Sequence, residues 1–261
     1  LGSQYDCLLA VAFDSQRDRD VLQRPLSTRY GDERDDERSL ADRCRDESSV
    51  PSSLQSQKRE PGRHLFQQRS ADIDELLCNI SRNGLQYVYE QLYKLNIECD
   101  FVDHTKKDLS RYKLIIVPAL YSASKEETDR LNDFVANGGH VVYTFRSGFT
   151  DENVKVHPIR QPAPFREQVG ASYQQFTSID KMPLKSTKLK TQGADLAFDS
   201  WIELMIPEGA EVWATYDSPY WGQYAAITHH KSGRGAVTYI AGNPTPALTR
   251  ELLQTACAEA G

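Results

Sequence analysis

The sequence predicts an α/β fold: a mostly parallel sheet with helices on both faces, followed by an antiparallel part. Three observations predict it. Short all-apolar runs of strand length recur, as in Leu114-Ile-Ile-Val117. Stretches with apolar residues at helical spacing lie between them. In the last third, strand-like segments follow one another without helices between them.

The elements follow in order. Cys7 to Phe13 is a continuous apolar run ending before Asp14, which suits a strand buried on both faces, the usual state in a parallel sheet. From Ala71, the residues Ile73, Leu76, Leu77, Ile80, Leu85, Val88, Leu92 and Leu95 recur at helical spacing, with a break at Asn83-Gly84. Ile97 to Val102 and Leu114 to Val117 read as strands, the second stopped by Pro118. Ser124-Lys-Glu-Glu127 is a capping box. It opens a helix whose core face is Leu131, Phe134 and Val135, and Asn137-Gly138-Gly139 supplies the left-handed stop. His140 to Phe145 is the next strand. Trp201–Ile206, Ala210–Tyr216, Tyr224–Thr228 and Gly235–Ala241 form the late strands. Ser232-Gly-Arg-Gly235 turns a hairpin, and Leu248 to Ala258 closes with a helix. This succession describes a flavodoxin-like core, of the kind also found in class I glutamine amidotransferases, with a late antiparallel part.

Between strand and helix the composition changes. Residues 15–68 are dense in Arg, Asp, Glu, Ser and Gln, and their few apolar residues show no sustained period. Such a segment cannot bury enough apolar surface to offset the entropy of ordering it. The expected organisation is therefore a first strand in 1–14, a charged and disordered insertion in 15–68, and the α/β domain proper in 69–261.

Composition excludes several classes of function. A net charge of -6 argues against nucleic acid or an anionic membrane as partner. No apolar run reaches the roughly 18 residues of a membrane span. Cys7, Cys44, Cys78, Cys99 and Cys257 are dispersed without CxxC spacing. They read as reduced thiols of a cytoplasmic protein, not a disulfide framework or zinc site. The first residues lack both a signal peptide and an initiator Met, which is the expectation for a fragment.

The chemistry is marked by absences. There is no phosphate loop, no GxGxxG after a strand, no HExxH and no GxSxG elbow, so no cofactor and no metal is expected. Where an amidotransferase would carry its cysteine nucleophile, this chain has Tyr121 and Arg146, and no His-x-Glu follows near the end. Four local features remain as candidates. The loop Arg146–Asn153 sits at the carboxyl end of a strand, where open α/β sheets bind ligands. Its Arg146, Asp151, Glu152 and Asn153 could hold sugar hydroxyls or a neighbouring subunit. The aromatic group Trp213, Tyr216, Tyr220, Trp221 and Tyr224 suits a core or interface, with Trp221 the ligand or contact candidate. His229 and His230, adjacent on a strand, point to opposite faces and chelate one metal poorly. Asp151 with Glu152, or Glu203 with Glu211, are carboxylates in pairs, but nothing marks one member as a buried acid, and glycoside hydrolysis needs two carboxyls about 5 to 10 Å apart.

Asp108-Leu-Ser-x-Tyr-Lys-Leu-Ile-Ile-Val-Pro-Ala-Leu-Tyr121 resembles the middle domain of family 42 β-galactosidases. The likeness continues through Phe134-Val-x-Asn-Gly-Gly139, Thr144-Phe-Arg-Ser-Gly148 and Asp151-Glu-Asn153. It resumes at Trp201-x-Glu203, Gly209-Ala-Glu-Val212, Ala214-Thr-Tyr216 and Gly233-x-Gly235, covering about residues 84 to 261. The resemblance implies a domain that packs against its copies in a homotrimer. It also implies a parent enzyme hydrolysing terminal β-galactosides with retention, through two glutamates on a preceding (β/α)8 barrel. A barrel takes roughly 250 residues, so those glutamates have no counterpart here and no catalytic residue is assigned. The expected role is a non-catalytic oligomerisation module. The alternative is a stand-alone α/β domain that binds a sugar or small ligand at the Arg146–Asn153 loop.

Overall fold

The computed structural model describes residues 10–14, 86–97, 99–102 and 108–260. All of them belong to one compact unit, Leu1–Ser15 with Leu76–Gly261. The segment 15–68, most of the expected first helix, Cys7, Cys44 and Cys78 lie outside the described residues.

The centre of the sheet follows from β3 (Tyr112–Val117) and β4 (His140–Thr144). Along β3 alternate residues enter two different cores. Leu114 and Ile116 pack with Val88 and Leu92 of helix α1 (residues 86–94) and with Leu248 and Leu252. Ile115 and Val117 pack with Leu131, Phe134 and Val135 of helix α2 (Lys125–Ala136). A strand with an apolar cluster on each side has to be apolar at nearly every position, which is why this run shows no alternation. The helices thus cover both faces, as expected. Helix α2 begins at the foreseen capping box. Glu127 N–H donates to Ser124 Oγ at 3.2 Å, and Ser124 N–H donates to Glu127 Oε2 at 2.8 Å. It ends where Gly138 takes φ 109° and the Gly139 N–H returns to the Phe134 carbonyl.

Ten strands form one hydrogen-bonded series, β12-β7-β6-β9-β10-β11-β4-β3-β1-β2. The members not yet located are β1 (Ala10–Asp14), β2 (Asp100–Val102), β6 (Phe176–Lys185) and β7 (Ala197–Glu203). With them come β9 (Glu211–Tyr216), β10 (Ala225–Ser232), β11 (Gly235–Ile240) and β12 (Gly242–Pro244). A short helix α3 (Arg166–Val169) precedes β5 (Ala171–Ser172), which pairs apart from the series with β8 (Ile206–Pro207). Helix α4 (Pro246–Ala260) closes the chain against the α1 face.

The expectation of a mostly parallel sheet is corrected. Of the nine neighbour pairings in the series only β3–β4 and β4–β11 are parallel, and the other seven are antiparallel. The first strand, read as part of a parallel sheet, runs antiparallel to both β2 and β3. The physical reason is that an apolar run reports burial on two faces and carries no information on strand direction. Direction is set by the connection: β3–α2–β4 is a strand–helix–strand crossover, which makes parallel neighbours, whereas β9, β10 and β11 follow one another without helices and pair antiparallel.

The late part is antiparallel as foreseen. The β10–β11 hairpin pairs Ser232 with Gly235 around a two-residue loop in which Gly233 takes φ 60°. Strand β6 has no counterpart in the expected element order. Its inward alternation is interrupted by a register shift between Ser178 and Lys181, and Pro183 falls within it.

Candidate functional site

The carboxyl ends of β3 and β4 are stitched together before either chain segment leaves the sheet. Ala119 N–H donates to Thr144 Oγ1 at 2.7 Å, Gly148 N–H to the Leu120 carbonyl at 2.7 Å and Phe149 N–H to the Tyr121 carbonyl at 3.1 Å. Both exits turn sharply: Ala119 takes φ 46° and Arg146 φ 63°. A non-glycine residue held there costs of order 1 kcal/mol or more, so something must fix it.

Glu203, at the end of β7, does this for Arg146. It is fully buried, and its Oε1 accepts the Arg146 backbone N–H at 2.7 Å and Trp201 Nε1–H at 3.3 Å. Oε2 accepts the Tyr239 hydroxyl at 2.8 Å, and Tyr173 stands beside the same carboxyl. Its backbone is held too, by the Tyr216 hydroxyl on the Glu203 carbonyl at 2.6 Å. Burial pushes the Glu203 carboxyl up to about 7, against the opposing pull of these hydrogen bonds.

The brace orients Arg146 outward. Its guanidinium lies 3.9 Å over the Trp201 ring, a cation–π contact. Trp201 stacks on Phe176 with centroids 4.8 Å apart. Phe176 meets Phe149 edge-on at 5.9 Å, and Phe149 stacks on Tyr121 at 5.2 Å. A continuous aromatic run, Tyr121–Phe149–Phe176–Trp201, therefore lies beside the arginine, with Phe176 exposed and the other three rings half-buried. Exposed Val156 extends its apolar character, since Val156 bridges to Thr150 and the His157 N–H reaches the Phe149 carbonyl. On the other side of Arg146 and Trp201 lies a cavity of about 730 Å³. Ser178, Asp199 and Asn243 give it polar walls, while Ile116, Val142 and Leu252 give it an apolar floor.

The sequence-derived candidates separate in three dimensions. Arg146 lines the cavity, and Asp151, Glu152, Asn153 and Trp221 do not. Asp151 organises its own turn: Oδ1 accepts the Asn153 and Lys155 N–H groups, each at 2.9 Å, and its carbonyl accepts Ser122 Oγ–H at 2.6 Å. Glu152 and Asn153 point into solvent. Trp221 is half-buried with Tyr224 against the core on the α1 and α4 face. Trp213 and Tyr216 are buried and Tyr220 is exposed, so the five aromatics do not converge. Of the nominated carboxylates, Glu203 is spent on its donors and Glu211 pairs with Lys188 and Trp213. Sequence reasoning missed Trp201, Phe176 and the bracing role of Glu203. Only the Trp201-x-Glu203 spacing marked that region.

Metal-binding potential lies elsewhere. His229 and His230 do face opposite sides: His230 Nδ1 approaches the Gln168 carbonyl at 2.8 Å, whereas His229 faces His140 and Glu259. His140, His229 and Glu259 are the group among the described residues whose ligand atoms converge. Burial lowers the His140 imidazole to about 4.

A family model described as the β-galactosidase trimerisation domain matches residues 57–261. The chain is 32% identical over 184 residues to β-galactosidase BgaB of Geobacillus sp. (strain Y412MC61), covering 68% of this chain and 27% of that protein. Among solved structures it is similar to the β-galactosidase from Bacillus circulans sp. alkalophilus, with a TM-score of 0.63 and 28% identity over 69% of this chain and 27% of that one. The cold-adapted β-galactosidase from Rahnella sp. R3 gives a TM-score of 0.62 and 26% identity over 68% of this chain and 26% of that one. The chain spans about a quarter of the length of the relatives it matches.

Proposed function

The chain belongs to the β-galactosidase trimerisation-domain family, and from that premise we propose that it is a non-catalytic oligomerisation module that assembles as a homotrimer. The parent enzyme hydrolyses terminal β-galactosides with retention, and the chemistry resides outside the span of this chain. The observation that carries the reading is the partly exposed aromatic run beside Arg146. Phe176 is 44% exposed and the neighbouring Val156 50%. Such a patch on a rigid sheet end is the composition of an interface centre, rich in aromatic residues with one arginine. The carboxylates give the reading its negative half. Glu203 is walled in by donors and offers no oxygen to a glycosidic bond. The flavodoxin-like ancestry expected from the sequence belongs to this proposal and rests on the β3–α2–β4 unit. So does a cytoplasmic setting, supported by the dispersed cysteines and acidic composition. No helix among the described residues is long and apolar enough to cross a membrane.

The test is to place a charge in the patch. Phe176→Asp is expected to shift the purified chain from trimer to monomer in light scattering with no loss of helical signal. Neither form is expected to hydrolyse a nitrophenyl β-galactoside. A variant that stays trimeric would remove the patch from the interface, and hydrolysis co-eluting with the chain would overturn the non-catalytic assignment.

A second reading, binding of a sugar or small ligand, is favoured by one feature, the cavity of about 730 Å³ lined by Arg146, Asp199, Asn243 and Trp201. It predicts saturable galactose binding in calorimetry that Trp201→Ala abolishes.

A further inference from the structure

His140 opens β4, His229 lies within β10 and Glu259 is in the last turn of α4. The group sits at the opposite end of β4 from Arg146. His140 Nδ1 and His229 Nδ1 lie 3.7 and 3.8 Å from the same oxygen, Glu259 Oε2. One ligand atom from each residue falls within 4.8 Å of the others. Bonds of about 2.0–2.2 Å around tetrahedral zinc put neighbouring ligand atoms about 3.3 Å apart. The two histidine–glutamate gaps exceed that by about half an ångström, which Glu259, the exposed member, is free to close; the gap between the two imidazoles, within 4.8 Å, closes only if the rings themselves turn toward the ion.

An independent observation points the same way. His140 is 4% exposed, yet its Nδ1 has no partner in good hydrogen-bond geometry. The Ala256 carbonyl also faces this ring. Thr238 Oγ1 stands between the two imidazoles, 2.9 Å from His140 Nε2 and 3.1 Å from His229 Nδ1. A hydroxyl has one proton. When Thr238 accepts His140 Nε2–H, it donates that proton to His229 Nδ1, and both Nδ1 atoms then present lone pairs. In that tautomer two lone pairs and a carboxylate oxygen converge, which is the arrangement a cation completes; in the other, His140 Nδ1–H turns to the Ala256 carbonyl and the Glu259 carboxylate. His140 Nε2–H on Thr238 Oγ1 is also the outer-shell bond that fixes a ligating histidine. Trp213 stacks on the His229 ring at 4.7 Å and 10° and holds its plane.

We propose that His140, His229 and Glu259 bind zinc, or a similar first-row divalent cation that favours imidazole, with water in the fourth position. On binding, the Thr238 hydroxyl turns away from His229 Nδ1 and leaves that lone pair to the metal. The ion ties α4 to β4 and β10. This proposal is independent of the oligomerisation reading.

Zinc titrated into the metal-stripped full chain by calorimetry tests it, with a thermal melt run alongside. The expected result is saturable binding and a rise in Tm with zinc. Glu259→Gln, at an exposed helix position, is expected to weaken binding at least 10-fold while leaving the metal-free Tm unchanged. Thr238→Val is expected to weaken it by about 10-fold. Absence of saturable binding would overturn the site. So would wild-type affinity in Glu259→Gln, which would mean that zinc is held elsewhere in the chain.

Discussion

At Glu203 a carboxyl is removed from water, and the consequence is a pH dependence with a definite sign. The folded protein holds this proton up to about 7, whereas the unfolded chain releases it near 4.5. Between those values the native state binds more protons than the unfolded one, so stability falls as pH rises. The stabilisation is fully present below 4.5 and is lost as pH passes through 7. Glu203→Gln is therefore expected to flatten the decline in urea midpoint across that window relative to wild type. Glu203→Leu leaves the Arg146 N–H and the Tyr239 hydroxyl without an acceptor, at about 1–3 kcal/mol each, and chemical denaturation should register the loss. The site was only partly legible at this scale. Arg146 was found because a strand end can be read from sequence. Trp201 and Phe176 were not, because they come from β7 and β6, and a stack between strands leaves no trace in local spacing. Asp151 Oδ1 accepts N–H groups of its own turn, a use that leaves the same sequence signature as a free carboxylate.

Elements whose signal is local were read well. Helix α2 carries its start and stop in its own residues. Ser124→Ala is expected to cost about 1 kcal/mol by removing the cap oxygen, measured as a shift in urea midpoint. Gly139 is a packing requirement: a Cβ built there would lie 2.2 Å from the Phe134 ring. Gly139→Ala should destabilise by about 1–3 kcal/mol through overpacking, and Phe134→Leu in the same chain should recover part of it. Strand direction was the failure at this scale. The apolar runs of β1 and β3 look alike, yet one has antiparallel neighbours on both sides and the other a parallel neighbour in β4. Strand β6 escaped because Asp180, Lys181 and Pro183 interrupt its pattern, while its pairing with β7 is supplied by tertiary context.

At the scale of the whole molecule, two ends of one sheet are assigned different work. The carboxyl end of β4 presents Arg146 and the aromatic run, and the amino end presents His140 toward Glu259. The first is proposed to meet another copy of the chain and the second to hold a cation. A two-sided core accounts for how both ends stay rigid, because β3 and β4 are buried on each face. The central claim is assembly, and light scattering on size-fractionated chain tests it most directly. A mass three times that of the 29.6 kDa chain is expected. A single-chain mass that persists to the highest soluble concentration would contradict it.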